Sequence, residues 1–399
     1  MPERFAKRLT GFLGLKRDIA LLLGMTVLVG LGERLGSRYV PKYLEFLGAG
    51  AIFIGVYGAI ENLFGALWSL PGGFLTDRFG ARRALAIFDL ISITGYLIVI
   101  LSPSWPAVIG ASILFLSWSS LSLPATMDLI ARRLPQTKRA MGVSMHSIIR
   151  RIPMAAGPVL GGILIDTYGI ENGIKMAFGG ALALALVALI LQQKMVSTER
   201  VGYEKLKLLK IIGRFDPALK NLLVSDILIR FCEQIPNSFV VLWVMSVAGK
   251  GAFQFGWLTA IEMGTAMLLY IPVAYFSDKA ERKPFVLATF GFFTIFPAIL
   301  FFSTSTSMLI LAFIVRGLKE FGEPTRKALI VDLADQRLKA RTVGSYYFVR
   351  DTVVSVGAFL GGWLWSINPA LNLWTAFAFG IIGTIYFALF GRSAVGRAG

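Results

Sequence analysis

Carboxylates at Glu33, Glu61, Glu233 and Glu262 stand in stretches that are otherwise apolar, as do the cations Arg34, Arg38, Arg150, Arg230, Arg316 and Arg350. A carboxyl enclosed by apolar surroundings can load and release a proton near neutral pH, which is the chemistry of proton coupling. Glu33, Glu61 and Glu262 are the candidates for it, with Glu233 beside them. Glu33 leads, because the approach of adjoining Arg34 would expel its proton. The arginines, by contrast, suit an anionic partner. Further charges at Arg151, Asp226, Lys319, Glu320, Glu323 and Asp351 lie in similar surroundings. An unpaired ion at mid-bilayer costs at least roughly 2.5–3.5 kcal/mol, so this many require a wet cavity or internal pairing. Asp226, Arg230 and Glu233 follow i, i+4, i+7 on one helical face, and Arg316–Glu320 and Lys319–Glu323 have the i, i+4 spacing of ion pairs. For the group around Arg316, internal pairing and substrate contact both stay open.

Other chemistries find no residues to carry them. The chain has no phosphate-cradling glycine loop, no metal-spaced His/Cys set and no nucleophile elbow, so neither enzyme nor primary pump is expected, and neither cofactor nor metal. His146, the single histidine, reads as a helix-end residue, and Cys232, the single cysteine, as a packing residue.

The elements that position these charges are membrane spans. Of 399 residues 56% are apolar and 16% charged, against about 45–50% and 25% in a soluble domain. Apolar runs of spanning length fall near residues 19–44, 51–75, 84–101, 107–130, 141–165 and 174–191. Six more fall near 222–247, 253–276, 285–302, 308–330, 343–365 and 371–390. The net charge of +17 gathers in alternate loops, which is the positive-inside pattern and not a nucleic-acid surface. Both termini and the Lys-rich stretch 193–220 are therefore expected on the cytoplasmic face. The expected organisation is a bundle at 1–192, a linker at 193–220 and a second bundle at 221–399.

The halves repeat. Glu61, Pro71 and Asp77 meet Glu262, Pro272 and Asp278 at a spacing of 201, while Glu33, Arg150, Gly157 and Gly161 meet Glu233, Arg350, Gly357 and Gly361 at 200. Such duplication signals a carrier with its site between the halves. Between the second and third spans stands Gly73-Phe74-Leu75-Thr76-Asp77-Arg78-Phe79-Gly80-Ala81-Arg82-Arg83, with a looser copy carrying Asp278, Arg282 and Lys283. Gly73 permits close helix approach, Asp77 can face a helix N-terminus, and Gly80 permits a tight turn. Arg78, Arg82 and Arg83 can anchor the hairpin and pair with Asp128.

This hairpin resembles the loop signature of the major facilitator superfamily. The resemblance implies an all-α membrane protein of twelve transmembrane helices in two pseudo-symmetric six-helix bundles. It also implies alternating access, with the first, fourth, seventh and tenth spans lining the cavity. Residues Arg34, Arg38, Tyr39, Trp118, Arg150, Arg230, Trp243, Arg316, Glu320, Tyr346 and Arg350 are then substrate-cavity candidates. Gly157-Pro158 followed by Gly161-Gly162 resembles the fifth-span run of the family's proton-coupled exporters, with Pro158 kinking the helix. The implied protein is a monomeric proton-coupled exporter of small amphipathic compounds in a prokaryotic inner membrane, with protons, substrate and membrane lipids as its partners. A carrier of organic or lipid-like anions is the alternative, and a sensor that binds without transporting is a third.

Overall fold

The computed structural model describes residues 17–116, 118, 122, 149–193, 215–277, 281–334 and 339–392. Among them every regular element is a helix. In chain order they are α1 (Arg17–Ser37), α2 (Val40–Phe46), α3 (Ala51–Leu67), α4 (Ser69–Phe79), α5 (Ala81–Leu101), α6 (Trp105–Phe115) and α7 (Arg151–Gln192). The second repeat supplies α8 (Pro217–Asn237), α9 (Val240–Leu242) running into a π-helical turn (Trp243–Val247), α10 (Ala252–Ser277) and α11 (Arg282–Phe302). It continues with α12 (Thr306–Leu318), α13 (Glu323–Leu333), α14 (Lys339–Ile367) and α15 (Pro369–Phe390).

Local sequence explains where they start and stop. The Asp216 carboxylate accepts from the Ala218 amide at 2.8 Å and Asn368 accepts from Ala370 at 2.8 Å, each with proline next in line, the usual N-terminal pairing. Gly80, at φ 80°, makes the turn from α4 into α5. Gly169, at φ 79°, breaks α7 into two limbs, so the fifth and sixth spans follow each other almost without a loop. Four described helices (α5, α7, α11 and α15) are long and apolar enough to cross a membrane, and α8 with the π-turn makes a fifth span bent by 42°.

Several expected spans are broken. The first divides at 38–39 and the seventh at 238–239, a spacing of 200 (237 − 37 = 200). The tenth divides between Leu318 and Glu323, where Gly322 packs against Phe285 and Thr289.

By contacts the chain forms two compact units, Met1–Val40 with Leu67–Glu204, and Pro41–Ala66 with Lys205–Gly399. In the first, Leu23, Met25, Val29, Leu85, Phe88, Trp118 and Ala188 share one core. The second owes residues 41–66 to a close crossing. A Cβ added at Gly55 would stand 2.7 Å from the Gly362 Cα, so α3 and α14 meet nearly backbone to backbone.

Candidate functional site

In the second unit the α8 face carrying Asp226, Arg230 and Glu233 turns inward, and every charge on it has a partner. Arg230 Nη1 lies 2.5 Å from Glu233 Oε2, and its Nη2 lies 3.4 Å from Glu323. Asp226 accepts from Arg326, from the Tyr346 hydroxyl at 3.0 Å and from Arg350 Nη1 at 3.4 Å. Arg326 also grips Glu323 through Nε at 2.9 Å and Nη2 at 2.6 Å. Arg350 holds Asp351 at 2.6 Å and lies over the Tyr347 ring, 4.6 Å from its centroid.

The network ends on a lysine shared by two acids. Lys319 Nζ is 2.9 Å from Glu233 Oε1 and 3.3 Å from Glu262 Oε1, while Arg316 Nε stands 3.4 Å from the same Glu262 oxygen. Arg316 donates to Asn237 at 2.9 Å and lies over Phe296, and Arg230 and Lys319 lie over Phe293. Such cation–aromatic contacts stabilise charges withdrawn from water. Glu233, Phe292, Phe293, Phe296, Arg316 and Lys319 enclose about 10 Å³, close to the space one water molecule needs and far too little for an organic substrate.

Several expected residues have partners of other kinds. Arg316 pairs across helices with Glu262, and Lys319 with Glu233 and Glu262; α12 ends at Leu318, so regular i, i+4 spacing stops there. Trp118 lies in the first unit's core. Tyr39 is buried and donates to the Pro158 carbonyl at 2.5 Å. Trp243, packed on Trp365, donates to the Ser303 carbonyl at 3.2 Å, and Tyr346 is spent on Asp226. The polar atoms of Tyr39, Trp243 and Tyr346 are thus each engaged within their own unit.

In the first unit Glu33 is buried, 4.0 Å from Arg34 Nη2. Arg150, at the start of α7, is within electrostatic range of Arg34, Glu33 and Arg151. Arg38 is half-buried beside the break after α1. Glu61 is half-buried on α3, which belongs to the second unit; its neighbour Asn62 donates to Gln234 at 3.0 Å. Gly157 and Gly161 face Arg34 and Leu35, and Gly162 is buried.

At the hairpin, Arg78 lies over Phe74 and Phe79, Arg82 donates to Gln193 at 2.6 Å, and Arg83 is exposed. In the copy, Arg282 pairs with Asp332 and Lys283 donates to the Ala388 carbonyl at 2.8 Å. Gly73 and Asp77 are on α4, but their side chains fall outside the described residues, as do Asp128, Asp278 and His146 altogether.

Sequence reasoning missed Arg326, the best buried cation of the network, although Lys319, Glu323 and Arg326 repeat the i, i+4, i+7 spacing of α8. It also missed Asp89 and Asp332, single acids in the third span and at the end of the tenth.

Helical repeats with this geometry have relatives. Residues 22–215 and 222–397 match the family model described as Major Facilitator Superfamily. The chain belongs to that superfamily. Multidrug resistance protein MdtH of Yersinia enterocolitica is 24% identical over 365 residues, covering 86% of each chain. Solute carrier family 22 member 18 of Rattus norvegicus is 28% identical over 229 residues, 54% of this chain and 53% of its own length. Among solved structures, a mutant of the nucleoside transporter NupG superposes with a TM-score of 0.78 at 14% identity, over 93% of this chain and 100% of that one. At that identity the likeness concerns the fold. This superfamily member is thus an all-α integral membrane transporter.

Proposed function

We propose that this transporter exports small amphipathic compounds in exchange for protons, by alternating access of two six-helix halves. The observation that carries the reading is Lys319 shared between Glu233 and Glu262. Glu233 also holds Arg230 and Glu262 also holds Arg316, so protonating Glu262 would release Lys319 wholly to Glu233 and leave Arg316 with Asn237. A proton thereby repartners a contact joining α8, α10 and the end of α12. Export is supported by similarity to a protein named for multidrug resistance, and by Gly157 and Gly161 packed on α1. In inside-out vesicles, accumulation of a cationic dye should stop when the pH gradient is collapsed. Gradient-independent accumulation would contradict the proposal. Glu262→Gln should abolish gradient-driven flux while leaving substrate exchange at equilibrium.

A second reading, a carrier of organic anions, is favoured by Arg34 and Arg150, both within electrostatic range of Glu33. Under it Arg34→Ala lowers affinity for an anionic substrate at least tenfold, the scale set by losing one charge-assisted contact of about 1.5–3 kcal/mol.

A further inference from the structure

Asp89 stands nine residues into α5, about 12 Å along the helix from its cytoplasmic start, and is fully buried beside Phe88 and Leu85. Its polar partner across the packing is Gln192 on α7, whose carboxamide nitrogen donates to Asp89 Oδ2. The indole of Trp118 is the other polar neighbour. Three atoms are then left over, all buried and without a hydrogen-bond partner: Asp89 Oδ1, Gln192 Oε1 and the Trp118 indole nitrogen. The indole N–H can serve Asp89 Oδ1, but no described donor reaches Gln192 Oε1. A single proton on Oδ1 removes that deficit: the acid hydroxyl donates to the amide carbonyl, the amide N–H₂ donates to the acid carbonyl, and the hydroxyl oxygen still accepts from the indole. Turning the carboxamide over leads to the same place, since its carbonyl would then face Oδ2 and only a proton could join two oxygens.

No described cation compensates a charge at Asp89. Arg82, two turns earlier on α5, is engaged by Gln193, and Arg78 on α4 lies over phenyl rings. The packed helix α6 has no titratable side chain. Glu33 and Arg34 on α1 act on Tyr96, two turns farther along α5, and are 4.0 Å from each other. Among the described residues an ionised carboxylate here would be a lone charge in an apolar core inside a bilayer, which is costly.

We propose that Asp89 is a proton-binding site, its carboxyl closing a two-hydrogen-bond ring with the Gln192 carboxamide. The ring joins α5 to α7, so gain or loss of that proton is tied to the packing of those two helices. It stands in the first unit, apart from the Glu233–Lys319–Glu262 cluster, and its test needs no transport. Infrared difference spectra of the purified full-length protein, wild type against Asp89→Asn, should show the carbonyl band of a neutral, hydrogen-bonded carboxylic acid at neutral pH. Carboxylate bands alone would overturn the proposal. In Gln192→Leu that acid band should shift to the position of an acid lacking its partner, and an unshifted band overturns the pairing. Asp89→Asn should melt with the wild type, because an Asn–Gln pair keeps both hydrogen bonds. A clear fall in its melting temperature would mean that charge held the helices, and would also overturn it.

Discussion

The carbonyl oxygen of Leu35 occupies the place a Cβ on Gly161 would need, and Gly361 stands in the same relation to the Ile235 carbonyl 200 residues later. Backbone meets backbone at both crossings, α1 on α7 and α8 on α14. Neither side can yield without moving a helix. Gly161→Ala and Gly361→Ala should therefore each destabilise the protein by about 1–3 kcal/mol. Thermal unfolding in detergent would show it, with Gly179→Ala, where the added methyl meets nothing within 4 Å, as the neutral control.

The buried ions of the second unit make a stability claim that can be cycled. Arg326→Met leaves Asp226 and Glu323 without their main cation and should cost about 3–5 kcal/mol. Asp226→Leu combined with Arg326→Met removes both charges and should recover part of that loss. A double variant no better than the sum of the singles would mean that the two groups do not interact.

These two regions also show what a sequence can and cannot yield. Glycine crossings were legible because duplication preserves spacing, and Gly157, Gly161, Gly357 and Gly361 keep theirs. Breaks after Ser37 and Asn237 were not read, since apolar residues continue across both and hydropathy is blind to a kink. Ion pairs within α8 could be found from local spacing. Those linking Lys319 to Glu262, or Arg326 to Asp226, depend on which faces of separate helices meet, and no one-dimensional pattern holds that information. Asp89 escaped for a related reason: a lone acid in an apolar run gains meaning only beside Gln192, 103 residues away.

Trp243 tests whether an aromatic near the seventh-span break binds substrate or supports the helix. Its indole donates to the Ser303 carbonyl, linking the π-turn to the end of α11. Trp243→Phe removes that bond and keeps most of the apolar surface, so stability should fall by about 1 kcal/mol. Substrate affinity, measured by thermal shift against ligand concentration, should be unchanged. A large affinity loss at constant stability would return Trp243 to the cavity.

Alternating access requires contacts that open, and the crossing of α3 with α14 is a place to look. A Cβ on Gly58 would stand 3.4 Å from the Ala358 Cβ, about the separation of the two Cβ atoms in a disulfide. Only the Ser238 hydroxyl impinges on it, and a hydroxyl can rotate away. Cys232 is the sole native cysteine, so Gly58→Cys with Ala358→Cys in a Cys232→Ala background should cross-link cleanly under oxidation. If α3 and α14 separate in every transport cycle, the oxidised protein should lose flux and reduction should restore it. Cross-linked protein that transports at the uncross-linked rate would mean this crossing never opens. The moving surfaces would then have to lie elsewhere in the two repeats.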